Sequence, residues 1–217
     1  MKKHLQLLLL LFTSSFISEI NAQIFFTETF EGAMEANGIP AGWSETSAPF
    51  SIDGIWNVNT SANASSTFLT YPAPATGTRF AFSNDDACNC DKSADRMIMP
   101  AQNFTGMTGV NLIFNGYLNG GYGETAVVQV STNGGTTWTT VSPLLGDPTA
   151  WQNNLLVNLT AYAGQANVLI SFLYSDNNTW GYGIGIDEVR LEQLVTLSPD
   201  MALSSANADE YTIVPFT

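Results

Sequence analysis

Acidic side chains supply most of the reactive chemistry in this sequence, which carries 19 aspartates and glutamates against six lysines and arginines and has a formal net charge of −13. Several acids lie in short groups: Glu28 with Glu31, the Asn-Asp-Asp stretch at 84–86, and Asp187 with Glu188. Such carboxylates can ligate a hard cation such as calcium, or act as the acid and the nucleophile or base of a glycoside hydrolase. No spacing singles out a catalytic pair, so hydrolysis is only an alternative to a role without catalysis.

Two function classes are excluded by what the chain lacks. Its one histidine, His4, lies in an N-terminal segment that we expect to be removed. Ser-His-Asp catalysis, Cys-His catalysis and histidine-based metal sites are therefore excluded. The mature chain keeps four cationic side chains, Arg79, Lys92, Arg96 and Arg190. These are too few to neutralise a row of phosphates, so we expect no binding to nucleic acid.

Two cysteines, Cys88 and Cys90, are separated by a single residue. In an oxidising compartment they would tend to pair, although so short a loop gains little closure entropy. We interpret them as a local disulfide or as two reduced thiols, and as catalytic in neither case.

Aromatic side chains in loops are the natural tools of a binding protein, because they stack on sugar rings or pack against a protein partner. Trp180 follows the loop sequence Asp-Asn-Asn-Thr, and Tyr122 follows Asn-Gly-Gly. We predict Trp180 and Tyr122 as ligand-binding residues, with core packing as the alternative for each. Trp43 and Trp56 are interpreted as structural.

The N-terminus has the layout of a signal peptide, because basic Lys2 and Lys3 precede an apolar run at 5–17 and Ala22 offers a cleavage site. The run is shorter than the roughly 20 residues of a membrane-spanning helix. We predict a signal peptide at 1–22, one domain at 23–194, and a linker with the start of a further, truncated segment at 195–217. The product is expected to be a monomeric module of a larger secreted or cell-surface protein without a transmembrane segment.

Short segments rich in β-branched and aromatic residues recur along the chain, and no helical period is sustained. The strand-like segments are 24–31, 54–59, 67–71, 79–83, 96–99, 110–118, 125–131, 137–141, 155–159, 168–174 and 182–191. The segments 126–130 and 168–173 keep one face apolar, which predicts central strands. We predict an all-β fold, a sandwich of two antiparallel sheets.

The string STNGGTTW at 131–138 is the clearest turn signal, because Asn-Gly-Gly lies between two β-rich runs. The string also has the spacing of the Asp-box of sialidase propellers, with Asn133 in the Asp position. It occurs once, whereas a propeller would repeat it. We interpret it as a structural hairpin in preference to a glycan-linked motif.

Seven short motifs, in order, resemble the cleaved-adhesin or gingipain-adhesin type of domain, which is related to the choice-of-anchor J domains of Bacteroidetes surface proteins and more distantly to MAM domains. They are TETFEG at 27–32, IPAGW at 39–43, GIWNV at 54–58, FAFSNDDACNCD at 80–91, DRMIMPAQNFTG at 95–106, VVQVSTNGGTTW at 127–138 and GYGIGIDEVRLEQL at 181–194. The resemblance implies a jelly-roll β-sandwich that serves as an adhesive or accessory module, often on proteins exported by the type IX system.

The resemblance also implies a structural calcium ion, which takes about six to eight oxygen ligands. The first and last strands of a jelly roll are commonly neighbours, which would bring Glu31 close to Asp187. We predict a calcium site made by Glu31, Asn84, Asp86 and Asp187. The alternative is a turn-forming or solvated residue at each position, or, for Asp187 in its apolar context, an ion pair with one of the few arginines.

These features together predict a secreted, non-catalytic binding or adhesion module, stabilised by calcium, that recognises a glycan or a protein ligand. The alternative is an accessory domain of, or itself, an extracellular carboxylate-dependent glycoside hydrolase.

Overall fold

The computed structural model describes residues 20–46, 56–88, 90–144 and 150–196. The strands are β1 Ile20–Glu28, β2 Ser44–Thr46, β3 Asn57–Thr60, β4 Arg79–Asn84, β5 Asp95–Ile98, β6 Val110–Leu118, β7 Thr125–Ser131, β8 Thr139–Leu144, β9 Gln152–Asn158, β10 Leu169–Ser175 and β11 Gly183–Thr196. The helices are short: α1 Ser61–Ala64, α2 Asp85–Cys88 and a 3₁₀ turn at Thr160–Tyr162.

The strands form two sheets. The first has the order β3-β4-β11-β6-β9, with β1 also paired to β11, and the second has the order β2-β5-β10-β7-β8. Neighbours along both orders run antiparallel. The predicted all-β sandwich of two antiparallel sheets is therefore confirmed.

The main core combines apolar side chains of both sheets. Alternation along β7 buries Ala126, Val128 and Val130, while every residue of the central strand β6 is buried. The rings of Phe114 in β6 and Phe172 in β10 meet edge to face at 5.0 Å. A strand that is buried on both faces needs cover on the outer side as well, and β6 receives it from a second apolar cluster.

That second cluster includes Leu69, Tyr71, Phe80 and Tyr117. The predicted strand at 67–71 is wrong, because this segment is a loop that packs Leu69 and Tyr71 onto the sheet. The Tyr71 hydroxyl donates to the Ser83 carbonyl at 2.9 Å. The apolar residues of 67–71 therefore reflect burial against a sheet and not membership of one.

The predicted hairpin at 131–138 is confirmed, since β7 and β8 pair on either side of it. The Asn133 Oδ1 atom accepts hydrogen bonds from the Ser131 hydroxyl at 2.8 Å and from the Thr137 backbone N–H at 3.0 Å. Asn133 thus stabilises the turn, as expected of a structural hairpin.

Residues Ala22–Leu194 form one compact unit. The predicted signal peptide at 1–22 and the segment 195–217 lie almost entirely outside the described residues, so both stay predictions. In the described ranges no helix has the length and apolarity to cross a membrane.

Candidate functional site

An open groove of about 1010 Å³ lies where several loops converge. The loops are the one between α1 and β4, α2 with the residues after it, the β6–β7 loop, and the β10–β11 loop. The aromatic lining residues are Phe68, Tyr122, Trp180 and Tyr182, and the acidic lining residues are Asp85, Asp86, Asp91 and Asp176.

Exposed apolar side chains are concentrated in this groove. The large hydrophobic side chains exposed in the described part of the chain are Ile24, Phe68, Tyr122, Leu156 and Trp180. Phe68, Tyr122 and Trp180 all line the groove, with 76%, 55% and 72% of their surface exposed. The structure thus brings together the two predicted ligand-binding residues and adds Phe68.

Three of the other four tryptophans belong to the scaffold. Trp43 and Trp56 are buried in the main core, as expected. Trp151 packs edge to face against Phe80 at 5.0 Å and donates its indole N–H to the Pro72 carbonyl at 2.8 Å. Trp180 is therefore set apart from these three by its exposure.

A tight turn after β10 presents Trp180. The Asp176 carboxylate accepts a hydrogen bond from the Asn178 backbone N–H at 2.9 Å, and the Asp176 carbonyl accepts one from the Thr179 hydroxyl at 2.7 Å. Asn177 and Asn178 both have positive φ, of 56° and 58°. Asparagine tolerates this left-handed conformation better than most residues, which explains the Asn-Asn pair in the loop.

Glu124 fixes the backbones of the two tyrosines. Its carboxylate accepts hydrogen bonds from the backbone N–H of Tyr182 at 2.5 Å and from that of Tyr122 at 2.8 Å. The two rings lie 5.1 Å apart with their planes 35° from parallel. Glu124 is buried beneath them, so the aromatic pair rests on a fixed polar support.

Asp85 contacts Gly181, the residue that follows Trp180 in the chain. Its Oδ2 atom accepts a hydrogen bond from the Gly181 backbone N–H at 2.8 Å, and its Oδ1 atom has no hydrogen-bond partner among the described residues. Burial, and next the negative charge of Asp176, raise the pKa of Asp85 to about 6. The hydroxyl of the neighbouring Tyr174 is also buried and has no hydrogen-bond partner among the described residues.

Two predicted calcium ligands, Asn84 and Asp86, hold the local structure beside this groove, and Asp86 lines it. Asn84 donates to the Ala64 carbonyl at 2.7 Å and accepts from the Ala87 backbone N–H at 2.9 Å. The Asp86 Oδ2 atom accepts hydrogen bonds from the Ser66 hydroxyl at 2.5 Å and the Phe68 backbone N–H at 3.0 Å. Asp86 thus ties the loop that carries Phe68 to α2.

The other two predicted ligands, Glu31 and Asp187, interact through their charges. The pairing of β1 with β11 was expected and is observed. The Glu31 Oε1 atom accepts backbone hydrogen bonds from Thr78 at 2.5 Å and Arg79 at 2.7 Å, which lower the pKa of Glu31. The negative charge of Glu31 in turn contributes to a raised pKa at Asp187.

Asp187 is buried with an incomplete set of partners. Its Oδ1 atom accepts a hydrogen bond from the Glu188 backbone N–H at 2.8 Å, while its Oδ2 atom has no partner among the described residues. Burial first, and then the charges of Glu188 and Glu31, raise the pKa of Asp187 to about 7. Arg190 pairs instead with Glu192 at 3.0 Å, so an ion pair with that arginine does not account for Asp187.

The four predicted calcium ligands do not form one site. Asn84 is paired with Gly183 in β11, four residues before Asp187. At about 3.3 Å per residue the backbones of the two residues are roughly 13 Å apart along the strand. The oxygen atoms that ligate one calcium ion lie within about 5 Å of each other, and two such short side chains do not close the difference. No group of three or more acids, cysteines or histidines in the described residues is arranged to hold a metal ion. The prediction is corrected to two separate places.

Cys88 and Cys90 are joined as a disulfide, and Cys90 lines the groove. The sequence left open a local disulfide or two reduced thiols, and the structure has the disulfide.

No protein-family model and no curated protein matches the chain. Among solved structures, the K2 cleaved adhesin domain of Lys-gingipain is similar over 76% of this chain and 98% of its own, with 20% identity and a TM-score of 0.52. The K3 cleaved adhesin domain of Lys-gingipain from Porphyromonas gingivalis W83 is similar over 79% and 99%, with 19% identity and a TM-score of 0.55.

The tandem CBM22-1-CBM22-2 domain of Paenibacillus barcinonensis Xyn10C is similar over 82% of this chain and 47% of its own, with 15% identity and a TM-score of 0.50. At these identities the likeness concerns the fold. The chain has the fold of the cleaved adhesin domains, and the resemblance carried by its seven motifs is confirmed at that level.

Proposed function

We propose that this chain is a secreted, non-catalytic module that binds an extracellular glycan in the groove between Phe68, Tyr122 and Trp180. The observation that carries the proposal is the concentration of exposed aromatic side chains in a single open groove. Leaving three large apolar side chains in water is costly, and such clusters on a folded surface are typical of ligand contacts.

The groove combines the two kinds of contact that a sugar requires. Aromatic faces stack on the apolar face of a pyranose ring, and the paired rings of Tyr122 and Tyr182 offer such a surface. Asp86 and Asp91 provide oxygen atoms that accept hydrogen bonds from sugar hydroxyls. The similar folds, adhesin domains and a carbohydrate-binding module, agree with a role in binding, although fold alone does not determine function.

A protein ligand is the alternative occupant of the same groove. Neutral and charged oligosaccharides on a glycan array, tested beside immobilised extracellular matrix proteins, distinguish the two ligand classes. Retention of the chain on a defined set of glycans supports the proposal. Retention on matrix proteins alone, with every glycan silent, contradicts it.

The glycoside hydrolase alternative depends on two carboxyl groups in the groove, Asp85 and Asp176. Both are buried, and both accept hydrogen bonds from backbone N–H groups, at 2.8 Å for Asp85 and 3.1 Å for Asp176. This arrangement favours a structural task for the pair. Turnover of reporter glycosides that disappears in both Asp85→Asn and Asp176→Asn variants is the result that would establish the enzyme instead.

We also propose that calcium is bound beside β11 by Asp187 and Glu31. The support is the buried Asp187 Oδ2 atom without a partner among the described residues, and the negative charges of Glu188 and Glu31, which contribute to the raised pKa of Asp187. A buried carboxylate needs a compensating partner, and a divalent cation would supply one while neutralising the repulsion between the acids. The ion would join the first strand to the last, a structural role.

A further inference from the structure

We propose that the groove selects glycans that carry free amino groups, such as oligomers of glucosamine, over neutral and acidic glycans. The inference rests on the proposed glycan-binding function and names the ligand class. It follows from the sign of the charges that line the groove and from a buried, unpartnered acceptor atom of Asp85, a residue of that lining.

The charges that line the groove all have one sign. The lining includes Asp85, Asp86, Asp91 and Asp176, and none of its described residues is a lysine or an arginine. The next residue in the chain, Lys92, is buried, and its Nζ atom donates hydrogen bonds to the Ser83 hydroxyl at 2.9 Å and the Asp95 carboxylate at 2.8 Å. The lysine is therefore paired with Asp95 in the interior; its charge also lowers the pKa of Asp85, but no cationic side chain lines the groove itself among the described residues.

Asp85 provides the second observation. Its side chain is 5% exposed, it lines the groove, and its Oδ1 atom has no hydrogen-bond partner among the described residues. A buried acceptor that makes no hydrogen bond costs free energy, so a ligand that donates a hydrogen bond to the Asp85 Oδ1 atom is favoured. An ammonium group is the strongest such donor, since its hydrogen bond to a carboxylate is charge-assisted.

The aromatic residues add to the same preference. An ammonium group is attracted to the face of an aromatic ring, and Tyr122, Tyr182 and Trp180 line the same groove as the acidic residues. A uronic or sulfated sugar would instead bring its negative charge toward four carboxyl groups, which disfavours it by repulsion. A glucosamine oligomer combines pyranose rings for stacking with an amine on each ring.

The test is calorimetric titration of the full chain with glucosamine hexamer and with its N-acetylated counterpart, at low ionic strength and a pH at which the amine is protonated. The two probes share length and linkage and differ in charge. We expect the glucosamine hexamer to bind at least about tenfold more tightly, and this advantage to shrink as salt is added. A hexamer of galacturonic acid should give no measurable binding.

Variants of single acidic residues test which carboxylates cause the higher affinity for the glucosamine hexamer. Asp86→Asn and Asp91→Asn should each reduce the advantage of the glucosamine hexamer several-fold, while Glu35→Gln, which removes an exposed charge outside the groove lining, should leave it unchanged. The salt titration of the unmodified chain provides the same test if a variant fails to fold.

Each outcome is decisive. Equal affinity for neutral and amino glycans overturns the inference and leaves glycan binding intact. Oligolysine serves as a further probe that carries ammonium groups on a peptide. Binding to oligolysine without binding to the glucosamine hexamer overturns the inference in favour of a protein partner. Silence toward every glycan overturns both the inference and the proposed function.

Discussion

The Asp85 carboxylate accepts a hydrogen bond of 2.8 Å from the backbone N–H of Gly181, the residue that follows Trp180 in the chain. This contact joins α2, which follows β4, to the β10–β11 loop. The position of the exposed indole is therefore set by a buried acid, and changes at either partner should alter the groove.

Gly181 has no room for a side chain. A Cβ atom at this position would lie 2.5 Å from the Tyr174 hydroxyl and 2.8 Å from the Asp85 Oδ2 atom. We expect Gly181→Ala to lower the free energy of unfolding by about 1–3 kcal/mol and to weaken glycan binding, because the loop must shift. The control is Gly32→Ala, where a Cβ atom meets nothing within 4 Å. Chemical denaturation of the two variants checks this, and equal stability would contradict the close packing of Gly181 against Tyr174 and Asp85.

Asp85 should make stability depend on pH. Its pKa in the folded state is raised to about 6 from an ordinary value of 3.8, so the folded protein binds the proton more tightly than the unfolded chain does. The sign of the linkage then requires that stability be lost as pH rises from about 4 to about 6. Asp85→Asn, which cannot ionise, should abolish this loss and gain up to about 3 kcal/mol at pH 8 relative to the parent. Thermal melting at pH 4 and pH 8 measures the difference, and a parallel pH dependence in both proteins would be incompatible with the assignment.

The calcium proposal predicts a melting shift. Saturation with free calcium at about a hundred times the Kd should stabilise the fold by about 2.7 kcal/mol relative to protein in chelator. Asp187→Asn should remove the shift, and Glu31→Gln should reduce it. Asp86→Asn should leave it unchanged, because Asp86 lies at the groove. A shift that is lost in Asp86→Asn but kept in Asp187→Asn would reverse our placement of the ion.

Glu124 should hold Tyr122 and Tyr182 in the positions that ligand binding requires. Its carboxylate accepts hydrogen bonds from the backbones of both Tyr122 and Tyr182, and the side chain is buried. Glu124→Gln replaces one acceptor oxygen by an N–H₂ donor, so a backbone N–H loses its partner at a cost of about 1–3 kcal/mol. We expect lower thermal stability together with weaker ligand binding. Unchanged affinity would mean that the tyrosines are positioned by other contacts.

The sequence predicted the fold well where a strand is either continuously buried or alternates between buried and more exposed positions. The strands at 110–118 and 125–131 have the predicted bounds, because β6 is continuously buried and β7 alternates. The strand β2 at Ser44–Thr46 was missed, since three mostly polar residues carry no period. The loop at 67–71 was taken for a strand because residues packed against a sheet and residues within one have the same apolar composition.

The groove could be predicted only in part. Trp180 and Tyr122 were identified as surface aromatics from their loop sequences, and both are exposed. That they converge with Phe68 depends on which loops lie side by side, which local sequence does not encode. The single predicted metal site failed for the same reason, since the register of β4 on β11 separates Asn84 from Asp187.

The most direct test of the account is the glycan affinity of the parent chain compared with Trp180→Ala and Leu156→Ala. Both variants remove an exposed large hydrophobic side chain, but Leu156 lies on β9 outside the groove lining. We predict that Trp180→Ala weakens binding at least about tenfold, or about 1.4 kcal/mol, with unchanged melting temperature, and that Leu156→Ala binds like the parent. Equal affinity of all three proteins for a glycan that the parent retains would contradict the claim that this groove is the binding site.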